Sequence, residues 1–122
     1  MSFVRELHSI LSLTTMIFFL FLGIWGIFRG IRNTSVDGSY MGALVIGELL
    51  FVLQSVLGII LLIDGGRPGR MVHILYGAFA VVALPGLFAY LKGDDSNRSQ
   101  WYYGILTFFL FGVALRAVSV AA

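Results

Sequence analysis

The chain contains no cysteine, and among its 122 residues it has only two prolines, two histidines, eight Lys or Arg and six Asp or Glu. The missing cysteine excludes disulfides, thiolate metal sites, iron–sulfur clusters and thioether-attached prosthetic groups. It carries no information on redox compartment. The shortage of charge excludes an ordinary soluble domain: 11% of the residues are charged, against about a quarter in soluble proteins. A net charge of +2, spread along the chain, lacks the clustered basic footprint that a nucleic-acid binder needs. No nucleic-acid partner is expected.

What the chain has in abundance is hydrocarbon. It is 59% hydrophobic, and the apolar residues fall into four blocks, Ser9–Phe28, Gly42–Ile63, Met71–Leu91 and Tyr102–Val120. Each block has close to the ~20 residues that a helix needs to cross ~30 Å of bilayer core. Four spans and three short polar connections use nearly the whole chain, so residues 1–122 read as a single all-α domain, an integral membrane four-helix bundle. The first block is full length and runs into the Arg29/Arg32 segment without a small-residue cleavage site, so it reads as a retained span rather than a signal peptide. The expected setting is the cell (inner) membrane, multi-pass, with the lipid bilayer as first partner.

Let side A be the face on which the chain starts and side B the opposite face. The first span crosses from A to B, and "RGIRNTSVDGSYMG" connects it to the second with three glycines as helix breakers. The second span returns to side A and ends at "DGGRPG", a connection short enough to make spans two and three antiparallel neighbours. Pro85 interrupts the hydrogen bonding of span three, which neighbouring helices in a membrane can tolerate. Trp25, Tyr40, Tyr90, Trp101, Tyr102 and Tyr103 all fall near side B, where an interfacial aromatic belt is expected. Arg5, Arg67, Arg70 and Arg116 lie toward side A, and Arg29, Arg32, Lys92 and Arg98 toward side B. That balance leaves the positive-inside rule without a preferred orientation.

The two histidines, His8 and His73, open spans one and three, which both start on side A. Topology therefore places them at similar depth on one face of the membrane. A b-type haem requires two neutral imidazoles facing each other across the porphyrin, from helices about one ring-width apart. It also requires space. Ser12 and Gly77 lie four residues after the two histidines, on the same helical faces, and keep the surface one turn deeper small. Gly47, Phe51, Gln54 and Gly58 form a further stripe on span two, with Gly58 roughly 8 Å inside side A. Haem propionates need cations at the interface, for which Arg67, Arg70 and Arg116 are available. The expected constellation is a single bis-histidine haem b with His8 and His73 as iron ligands, lined by Ser12, Gly58 and Gly77.

The stretch "LQSVLGIILLIDGGRPGRMVHILYGAFAVVALPGL", residues 53–87, resembles the haem A synthase family, in which a helix with Gln-x-x-x-Gly leads through a short turn to a haem-ligand histidine. The matching positions here are Gln54, Gly58 and His73. Each half of that family is a four-helix bundle holding a haem between histidines on alternate helices, and small cytochrome b-like bundles share the pattern. The resemblance covers one half-bundle, nearly all of this chain, and implies haem binding. It departs from the family where Ser9, rather than arginine, follows His8, and where Arg5 occupies the position of a glutamate. A lone half-bundle also lacks a second haem site. These departures speak against the synthase reaction, and an electron carrier or complex subunit is expected rather than an enzyme.

Each residue also has a plainer explanation. Histidines and arginines at helix ends suit the headgroup zone, and small residues in membrane helices serve close packing. On that basis the alternative is a haem-free accessory subunit of a larger respiratory or photosynthetic complex; on either reading the expected protein partners are other membrane subunits or further copies of the chain. A transporter would need more midplane polarity than Gln54 and Ser55 supply. Glu48, about 9 Å in from side B, is unassigned; a charge at that depth costs at least ~2.5 kcal/mol, which marks it as functional by default. Gly26 and Gly30 form a small-xxx-small pair at the end of span one, a weak helix-contact signal.

Overall fold

A computed structural model describes residues 2–64 and 72–120. They form four α-helices, α1 (Ser2–Ile31), α2 (Gly38–Ile63), α3 (Val72–Leu91) and α4 (Asn97–Val120). All four are long and apolar enough to cross a membrane, the pattern of a multi-pass membrane protein. The apolar blocks underestimate three of them. Helix α1 extends back to Ser2, α2 begins at Gly38 and α4 at Asn97, and for α2 and α4 the polar first turn is capped rather than buried. Asp37 is the N-cap of α2, its carboxylate accepting from the Tyr40 amide at 2.8 Å. Ser96 caps α4 through the Ser99 amide. The Ser96 and Ser99 hydroxyls both donate to Asp94 and hold its carboxyl below the usual carboxylate range. Helix α3 ends in left-handed residues at Lys92 (φ 55°) and Gly93 (φ 74°), with the Gly93 amide returning to the Phe88 carbonyl. Pro85 sits inside α3 without ending it.

Around the bundle the helices follow chain order. Helix α1 packs on α2 and α4, α3 packs on the same two, and the diagonal pairs make no close backbone approach among the described residues. The closest pair is α1 and α4, and glycine makes it so. A Cβ built on Gly104 would lie 2.7 Å from the Gly26 carbonyl carbon and the Ile27 nitrogen. One on Gly23 would lie 2.7 Å from the Phe108 Cα, and one on Gly30 2.7 Å from the Trp101 ring. With no hydrophobic force between helices in lipid, such backbone proximity is how the pair gains its dispersion energy. The Gly26/Gly30 motif therefore belongs to the main helix contact of the fold.

The side-B end of the bundle is polar and closed. Arg29 donates to the Gln100 side chain at 3.0 Å, bonds the Ser35 carbonyl and pairs with Asp37 at 3.3 Å. Asn97 donates to the Gly30 and Thr34 carbonyls, which ties the first loop to the start of α4. Tyr40 and Tyr103 are 0% and 1% exposed, so they belong to the core and not to an aromatic belt. Tyr40 reaches the Leu22 carbonyl at 3.3 Å. Trp25 and Tyr90 remain exposed, as a belt requires. Below this network the core continues through Phe19, Leu44, Phe51, Leu84 and Leu110, with Phe19 and Phe51 stacked at 4.5 Å.

The core stops short of side A. The first buried residue of α1 is Thr15, the last of α2 is Leu57, and described burial in α3 begins at Ala80 and in α4 ends at Ala114. The bundle is thus tight at side B and loosely packed at side A, where both histidines lie.

Candidate cofactor site

His8 sits in the second turn of α1 and His73 in the first turn of α3. These helices are diagonal in the bundle, yet the two rings meet across its centre, with centroids 6.3 Å apart and planes at 80°. Both side chains are half-buried. Two metal–imidazole bonds of about 2 Å, plus the distance from each nitrogen to its ring centre, would set centroids about 6 Å apart. The observed separation matches that of two axial ligands of one metal.

The His73 ring is fixed by the end of α4. Its Nδ1 lies 2.8 Å from the Ala117 carbonyl oxygen. Ala117 lies in the last described turn of α4. A carbonyl only accepts, so Nδ1 carries the proton and donates, leaving the Nε2 lone pair for a ligand. A backbone carbonyl near the end of the described part of α4 thereby orients a side chain on the neighbouring helix.

The surroundings of His8 come from α2. Gln54 donates from Nε2 to the His8 carbonyl at 3.1 Å. One turn further, a Cβ on Gly58 would lie 3.7 Å from the His8 Cε1, so a larger residue there would press on the ring. Gly47, Phe51, Gln54 and Gly58 all face α1, since Gly47 meets Phe19 and Phe51 stacks on it. The expected stripe is a continuous α1-facing surface. A Cβ at Gly77 would meet nothing within 4 Å, so the surface one turn below His73 is open. Ser12 turns its hydroxyl back to the Ser9 carbonyl at 2.6 Å, which satisfies it without reaching into the bundle. Arg116 lies exposed on α4, one residue before the carbonyl that holds His73. Arg67 and Arg70 lie outside the described residues.

Among the described residues no three of His, Cys, Asp and Glu gather to hold a metal. Two imidazoles are too few for a zinc centre, which takes four protein ligands or three with a water. They suffice for a metal that brings its other four donors with it, as haem iron does. The donor set, the ring separation and the thin packing at side A all fit a bis-histidine haem.

Glu48 does not join this site. One of its carboxyl oxygens is buried without a hydrogen-bond partner. An unpaired buried oxygen costs about 1–3 kcal/mol, so Glu48→Leu is expected to raise the thermal unfolding midpoint of the purified protein in detergent. A lowered midpoint would mean that the carboxyl group is engaged after all.

Sequence reasoning missed two features near the site and one remote from it. The Ala117 carbonyl is a backbone group, and no residue type announces it. Gln54 was legible as part of a stripe but not as a neighbour of His8. The buried residues Gln100, Tyr103 and Thr107 on α4 follow helical spacing from the polar stretch into the fourth apolar block, and that period was the available signal. No protein-family model, curated protein or solved structure matches the chain.

Proposed function

We propose that the chain is a membrane-embedded, bis-histidine b-type haem protein that acts in electron transfer or as the haem-bearing subunit of a redox complex, in the cell (inner) membrane. The observation that carries this reading is the meeting of His8 and His73 from diagonal helices at 6.3 Å. In this account His8 and His73 would hold the iron through Nε2, and the Ala117 carbonyl keeps His73 in the required tautomer. Gly58, Gly77 and Ser12 keep the flanking surfaces small, and Arg67, Arg70 and Arg116 compensate the propionates. Bound haem would supply one-electron chemistry; the protein's part is to position it and tune its potential. The exposed apolar shell of the bundle favours lipid and a neighbouring membrane subunit or a second copy as further partners.

The test is an absorbance spectrum of the full chain purified from haem-replete cells. One haem b per chain with a low-spin Soret band and sharp bands on reduction is the expected result. A colourless protein that also fails to take up added haemin would overturn the reading in favour of the haem-free accessory subunit.

A further inference from the structure

We infer that Gln54 is the positioning residue of His8, its Oε1 accepting a hydrogen bond from the His8 Nδ1–H. The consequence for a metal ligand rests on the haem reading above; the hydrogen bond itself does not. Three observations converge on it. First, the Gln54 amide is already anchored, with Nε2 donating to the His8 carbonyl at 3.1 Å. A backbone carbonyl can only accept, so the NH2 group must face it and Oε1 must be the end left over. Second, Oε1 is buried and has no partner of its own. Third, His8 Nδ1 is buried and unpartnered too, and the Gln54 side chain, like the His73 ring, is a polar group that acts on the His8 ring.

A buried acceptor and a buried nitrogen, side by side and both unsatisfied, each cost free energy that one bond between them removes. The Gln54 amide is anchored on the His8 backbone, so rotation of the amide about that anchor is the movement that brings Oε1 to Nδ1. The result is the same for both histidines by different means. The Ala117 carbonyl takes the Nδ1 proton of His73, and the Gln54 carbonyl oxygen takes that of His8. Both rings then present Nε2, and second-sphere acceptors of this kind fix ligand orientation and basicity. Gln54 and Gly58, four residues apart on one face of α2, complement each other, because the amide holds the ring and the glycine leaves it room.

The experiment uses the full chain labelled with 15N-histidine, in detergent, at a pH where both imidazoles are neutral, before and after loading with haemin. In the unloaded wild type, both histidines are expected as the Nδ1–H tautomer, the minor form in water. In Gln54→Met, His8 is expected to revert to Nε2–H while His73 keeps its tautomer as an internal control. An Nε2–H tautomer at His8 in the wild type, or an unchanged His8 tautomer in Gln54→Met, would overturn the inference. The wild-type measurement needs no variant, so a poorly folding Gln54→Met does not remove the test. After loading, Gln54→Met is expected to raise the midpoint potential and Gln54→Glu to lower it, both with a low-spin spectrum, because a stronger acceptor makes the imidazole more basic and favours ferric iron. Equal potentials in all three proteins would also count against it. If no haem binds, the haem reading fails while the tautomer result stands. If haem binds but the tautomer ignores Gln54, the reading stands and this inference fails.

Discussion

Replacing either His8 or His73 by alanine is expected to abolish the low-spin haem signature and leave the fold intact. If both imidazoles hold a haem iron, removing one would leave the iron with a single strong protein ligand and make it high-spin, which would move the Soret band and remove the sharp reduced bands. The fold should survive because neither residue belongs to the core, which ends at Thr15 on α1 and begins at Ala80 among described α3 positions. Substitutions so placed cost little stability, of order 1 kcal/mol or less. His73→Ala also leaves the Ala117 carbonyl without its donor, but at a helix end where such groups find water or headgroups. Added imidazole is expected to restore the low-spin spectrum in part. A variant that keeps the wild-type low-spin spectrum would show that the substituted residue is not a ligand.

The second large effect is expected far from the histidines. Gly104→Leu should unfold the bundle or separate α1 from α4. Even a Cβ at this position would meet backbone atoms of Gly26 and Ile27 at 2.7 Å, and backbone cannot rotate out of the way. The two helices would have to move apart along their closest contact. Overpacking costs about 1–3 kcal/mol in soluble cores, and a whole helix crossing made of glycine stands to lose more. Gly42→Leu is the matched control, because a Cβ there meets nothing within 4 Å. Denaturation in detergent is expected to show a large loss for Gly104→Leu and little change for Gly42→Leu. Similar midpoints for the two variants would mean that the α1–α4 contact does not hold the fold together.

The number of helices and their membrane character were legible because composition alone decides them: four apolar blocks of spanning length leave no other architecture. The approach of His8 to His73 was legible for a different reason, since two spans starting on one face must bring their first turns to one depth. Helix ends were not, because Asp37 and Ser96 start helices through capping, and a capped polar turn looks like loop to a hydropathy reading. The aromatic belt was over-assigned. Tyr40 and Tyr103 sit near side B in sequence but turn inward, where Tyr40 finds the Leu22 carbonyl, and residue type cannot tell inward from outward at a helix end. The weight of the Gly26/Gly30 motif depended on where Gly104 and Trp101 fall on α4, a matter of register between helices that a single chain does not print.

The most direct measurement of the central claim, that His8 and His73 bind one iron between them, is low-temperature electron paramagnetic resonance of the oxidised protein. If both rings bound one haem iron with their planes at 80°, they would donate almost equally to its two π orbitals and keep these nearly degenerate. A single, strongly anisotropic low-field line of low-spin ferric haem is therefore expected. A high-spin ferric signal, or no haem signal from protein prepared with haem in excess, would contradict it.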